Sequence, residues 1–147
     1  MQTFVPATDI HECARVLDDQ RLAKQIIECR QILRAARYQT KGWVNHPAVR
    51  MWRGYELALV RYAQACHAEY LRRRNKPHQA FLNMVDIDLT IDDLQRLGAC
   101  DPPMPPWWGC TIHATHRSNL LRKNPDWYGQ FGWTEGDDLD YHWPVTV

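Results

Sequence analysis

No stretch of this chain approaches the roughly 20 consecutive apolar residues that a membrane-spanning helix needs. Its start, MQTFVPATDIHE, has neither the basic segment nor the apolar run of a secretory leader. Cysteine is sparse and unpatterned: five residues, at 13, 29, 66, 100 and 110, without a C-x-x-C pair. An odd number, with Cys29 and Cys66 at apolar helical positions, fits reduced thiols rather than a disulfide framework, so the expected location is the cytoplasm, at the nucleoid. The Gly-rich phosphate loop, the G-x-S-x-G elbow and H-E-x-x-H are all missing, which removes three common routes to catalysis. Repeats, low-complexity tracts and alternating strand patterns are missing too.

What remains is a chain of 147 residues, 45% hydrophobic and 24% charged, enough for one compact domain with a real core. Seven Trp is a heavy load for that length. Some of it belongs in the core, and some suits stacking on bases. The formal charge of +1 hides segregation: segment 15–76 holds 14 Lys or Arg against five Asp or Glu. Arg117, Arg122 and Lys123 add a second basic group, whereas acids collect at 86–101 and 126–140. A solvated helix face is the ordinary fate of a charge run. So dense a cluster favours an anionic partner, nucleic acid first.

Helical periodicity dominates. Thr8 or Asp9 is placed to cap a helix that runs to Arg37 with a break near 16–18. Leu22, Ile26, Cys29, Leu33 and Ala36 make one apolar stripe in its second part. Arg21, Lys24, Gln25, Glu28 and Gln31 lie opposite. A second long helix is expected over about 47–74, opened by Pro47 and stopped before Pro77. Residues 78–106 read as an insertion-like loop region, with a short helix in TIDDLQRLG between a Thr90 cap and Gly98. A last helix spans 111–123, followed by an irregular aromatic tail and an extension over 134–147. The expected architecture is all-α: a single domain, 1–147, of three main helices.

Glu28 stands alone among cations. It is either a surface ion pair with Lys24, four residues away, or a general acid/base inside a phosphate-binding groove. Cys110, His113 and His116 follow a C-x2-H-x2-H spacing, but helical steps of three present only two side chains together. A histidine pair that binds phosphate or lines a pocket competes with a metal site, and no metal or other cofactor is expected. Trp107, Trp108, Trp127, Tyr128, Phe131 and Trp133 flank the basic group Arg117, Arg122 and Lys123, as base-stacking surfaces or as packing.

Three segments, DQRLAKQIIE (19–28), HPAVRMWRGYELALVRYAQACHAEYLRRR (46–74) and HATHRSNLLRKNPDWY (113–128), resemble the pyrimidine dimer DNA glycosylase family in order and spacing. The resemblance implies a compact helical domain in which the amine at the head of the chain attacks the sugar C1′ of a damaged pyrimidine nucleotide. The Schiff base then permits β-elimination and strand cleavage. It implies that Glu28 assists the proton transfers. Gln2 is bulky enough to oppose Met1 removal, so the expected amine is that of Met1, or that of Gln2 if it is exposed. Arg21, His46 and Arg117 match positions contacting DNA phosphates or the site, and Trp127 and Tyr128 match a tail that approaches the lesion. Gln20, Lys24, His113, His116, Arg122 and Lys123 complete the candidate nucleic-acid surface.

Three features depart from the family: a leading segment about five residues longer, the 78–106 region and the extension TEGDDLDYHW. The reading that follows is a monomeric glycosylase with a lyase step acting on lesion-bearing DNA. The alternatives are a base-modifying enzyme on the same scaffold and a non-catalytic nucleic-acid-binding module.

Overall fold

The computed structural model describes residues 1–87 and 102–144, with backbone alone for 84–87. The helix expected in TIDDLQRLG lies outside the described residues. Helix α1 (Ile10–Val16) starts where the Asp9 carboxylate accepts the free N–H groups of His11 and Glu12. Leu17 and Asp18 turn extended, and α2 (Asp19–Ala36) follows. The break thus falls within the 16–18 window, and α1 takes up residues of the longer leading segment.

Asp18 sits at the cap position of α2 but does not cap it. Its carboxylate accepts from the buried Tyr128 hydroxyl and from Arg21 Nη1 at 3.2 Å. The far end of α2 closes in a Schellman motif, Gln39 N–H to Arg34 C=O at 2.8 Å and Tyr38 N–H to Ala35 C=O at 3.1 Å. Tyr38 takes the left-handed position usually given to glycine, with φ 59°, and Arg53 lies over its ring at 4.6 Å.

The helix expected over 47–74 is two helices, α3 (Pro47–Trp52) and α4 (Glu56–Arg74). Arg53 is extended and Gly54 has φ 89°, a region that costs a side chain strain and glycine little. The bend lets Arg53 donate to Ala36 C=O at 3.3 Å and Val44 C=O at 2.6 Å. Helix α4 ends on a left-handed Asn75. In the region read as an insertion-like loop, α5 (Gln79–Ile87) forms a helix and stacks Phe81 on His67, centroids 4.0 Å apart. Then come α6 (Ile112–Lys123), the single turn α7 (Pro125–Tyr128) and a 3-10 turn (Gly129–Phe131). The described residues contain no strand.

The core forms where α4 packs on α1 and α2. The whole α2 stripe, Leu22, Ile26, Cys29, Leu33 and Ala36, is buried there, with Trp52, Leu59 and Tyr62 opposite. Each large side chain so enclosed contributes roughly 1.5–3 kcal/mol. Residues 3–6 are buried as well, although they belong to no helix. An extended strap is threaded through a helical core, and this strap positions the site.

Candidate active site

A chain segment without helical bonds needs other partners for its backbone, since buried polar groups left bare cost about 1–3 kcal/mol each. Side chains from four helices supply them. Gln25 of α2 accepts from Phe4 N–H at 2.8 Å and donates to Gln2 C=O at 3.1 Å. The Tyr62 hydroxyl of α4 bonds Phe4 C=O and Gln25 Oε1, and the Trp52 indole N–H donates to Thr3 Oγ1 at 2.9 Å. From α6, His116 Nδ1 accepts Val5 N–H at 2.9 Å, and Arg117 donates to Pro6 C=O at 2.8 Å. His113 Nε2 accepts from Gly109 N–H at 2.8 Å, which puts the ring proton on Nδ1, where it donates to Val5 C=O at 2.7 Å.

Held in this way, the strap delivers the Gln2 nitrogen to Glu28: N–H to Oε2 is 3.3 Å. Glu28 is only 7% exposed despite lying on the polar face of α2, because the strap covers that face. Gln25, placed with the polar side in the sequence, is buried for the same reason.

Around this pair opens a cavity of about 260 Å³, lined by Met1, Gln2, Phe4, Gln20, Arg21, Lys24, Gln25, Glu28, Lys123 and Tyr141. Six expected residues meet there: Met1, Gln20, Arg21, Lys24, Glu28 and Lys123. Gln2, Phe4, Gln25 and Tyr141 were not foreseen. Gln25 had a signal, since it stands three residues before Glu28 on one helix face. Tyr141 had none, because its ring reaches the cavity only through the path of the tail, against Phe4 and His116.

The other candidates sit elsewhere. His113 and His116 are interior rather than surface residues, and burial lowers both pKa values, that of His116 to about 3. Tyr128 is fully buried against Asp18, and the Trp127 indole donates to Val16 C=O at 2.7 Å. Arg117 holds Glu135 of the tail at 2.5–2.9 Å, which keeps the Glu135 carboxyl below its ordinary range. Arg122 donates to Asp137 C=O at 2.9 Å.

His46 caps α3 by accepting Ala48 N–H at 3.0 Å. Burial lowers its pKa, the positive chain head pushes the same way and Glu28 pulls against both, so its ring is within electrostatic reach of the site. Among the described residues no three His, Cys, Asp or Glu side chains gather as a metal site. Cys110 is exposed, whereas the two histidines that share its spacing are inside.

A backbone N–H at the head of the chain meets a carboxylate inside a cavity lined by Arg21, Lys24 and Lys123, on a helical scaffold. The chain belongs to the pyrimidine dimer DNA glycosylase family: the sequence model of that family matches residues 1–83, more than half of the chain. The match takes in the strap and helices α1 to α4, and it reaches five residues into α5. No curated protein and no solved structure matches the chain significantly. Membership implies glycosylase-type action on DNA, and among the described residues no helix is long and apolar enough to cross a membrane.

Proposed function

We propose that the chain removes a damaged or modified pyrimidine from duplex DNA and then cleaves the strand, using the amine at its head and Glu28. The observation that carries this reading is the 3.3 Å approach of Gln2 N to Glu28 Oε2 within a cavity flanked by Arg21, Lys24 and Lys123. The cations hold phosphates while the carboxylate faces the sugar. The Met1 amine forms a bond to C1′ as the C1′–base bond breaks, the base leaving with the electron pair and taking up a proton. Glu28 accepts a proton from the attacking nitrogen and returns it to the ring oxygen, which opens the sugar to a Schiff base. The same carboxylate then removes a C2′ proton as the C3′–O bond breaks.

The Gln2 amide N–H aims the carboxylate, and Met1, next to it, lines the cavity. The protein acts as a monomer on an extruded nucleotide and needs no metal.

Glu28→Gln tests this. The amide keeps an acceptor for Gln2 N–H but cannot take protons. DNA affinity and thermal midpoint are expected to stay near the parent values while strand scission falls by about 10²–10⁴. Scission at parental rates would move the chemistry away from Glu28.

A further inference from the structure

A second cavity, of about 160 Å³, shares Met1 with the first. Arg30, Gln31 and Arg34 of α2 form one side, and Thr40, Gly42 and Trp43 of the following loop form the other. We infer that it is a stacking subsite for the nucleotide next to the one attacked, its base lying on the Trp43 indole and its phosphate near Arg30 and Arg34. The inference rests on the reading of the Glu28 cavity given above.

Trp43 is the first support. Its indole is 65% exposed, and its φ of 67° is a left-handed conformation that a bulky residue rarely adopts. Glycine or asparagine would suit that backbone better, so folding alone does not explain tryptophan. The residue is nevertheless held: its backbone C=O accepts from His46 N–H at 3.0 Å, and its indole meets the His46 ring at 67° with centroids 5.6 Å apart. His46 is fixed in turn by its cap to Ala48 and by Trp143 at 5.9 Å. Trp52, Trp107, Trp108 and Trp127 instead direct their indole N–H groups to partners within the fold.

Register is the second support. Gln31 and Arg34 follow Glu28 by three and six residues on one helix, roughly 4.5 and 9 Å along its axis. A strand whose sugar lies at Glu28 brings its neighbouring nucleotide into that interval, over Met1. The chemistry suits this occupant, because an aromatic face beside guanidinium groups takes any base and its phosphate. Binding there is therefore expected to be indifferent to base identity.

The test uses the full chain carrying Glu28→Gln and duplexes with a tetrahydrofuran abasic analogue, 2-aminopurine being placed on one side of it or the other. Binding is expected to quench the 2-aminopurine in one of the two duplexes. Adding Trp43→Ala should abolish that quenching and weaken binding by about 5- to 100-fold, with no fall in thermal midpoint, whereas Trp43→Phe should retain most of both. Unchanged quenching and affinity in Trp43→Ala would overturn the subsite. The reaction at Glu28 is read separately, by borohydride trapping in a chain with native Glu28. A Trp43-dependent signal without trapping would uphold the subsite and sink the reaction instead.

Discussion

At the residue scale, Gln25 and His116 do the least visible work. One carboxamide of Gln25 accepts from Phe4 N–H and the Tyr62 hydroxyl while donating to Gln2 C=O. The strap therefore has one register, and Gln2 N meets Glu28 in it. His116 holds the next turn of the strap through a neutral ring, since its Nδ1 has to accept from Val5 N–H. Burial, assisted by His113 and His142, lowers its pKa from 6.5 to about 3.

The unfolded chain then takes up a proton near pH 6.5 that the folded chain refuses until about pH 3. Across that window the unfolded state binds more protons, so stability falls as the solution is acidified, by up to about 1.4 kcal/mol per pH unit. His113, lowered by burial, adds in the same direction. Thermal midpoints should drop steadily from pH 7 to pH 4, and His116→Gln should flatten much of that slope. A midpoint independent of pH in the parent would contradict a neutral, buried His116.

At the scale of elements, the bend between α3 and α4 fixes how the strap is gripped. It separates Trp52, which holds Thr3, from Tyr62, which holds Phe4. Gly54 has open space around a would-be Cβ, so Gly54→Ala meets only the φ penalty. A loss of about 1–2 kcal/mol in denaturant unfolding is expected. An unchanged midpoint would mean that the left-handed turn is not required.

The sequence announced α2 clearly, because Leu22, Ile26, Cys29, Leu33 and Ala36 recur at helical spacing and all are buried. It also announced Glu28 and its cations. The Gly54 bend was hidden, since one glycine inside a periodic run does not show which φ it will adopt. The burial of TFVP was hidden for another reason: four residues carry no periodicity, and their partners lie up to 111 positions away. Tyr128 and Trp127 stayed open between stacking and packing, because a sequence does not tell an aromatic ring packed under Asp18 from one facing DNA.

At the scale of the whole molecule, charge is arranged in two layers. The cations of α2 and Lys123 surround the Glu28 cavity, while the acidic tail lies along α6. Leu139 N–H bonds Ser118 Oγ at 2.9 Å, His142 N–H bonds Thr115 Oγ1 at 3.2 Å, and Glu135 pairs with Arg117. Removing the Glu135 charge should free the Arg117 guanidinium to meet phosphate, if Arg117 belongs to the DNA surface as proposed. Glu135→Gln is expected to tighten DNA binding at low salt and steepen the log–log salt slope by about 0.9. Weaker binding would assign Arg117 to holding Pro6 and the tail rather than DNA.

The account depends on an amine at the head of the chain reaching Glu28. Borohydride trapping on abasic DNA, followed by intact mass and peptide mapping of the adduct, reads that directly. The expected result is one covalent link at the α-amine of residue 1, abolished when that amine is acetylated. A link at a lysine, or an undiminished adduct after acetylation, would contradict it.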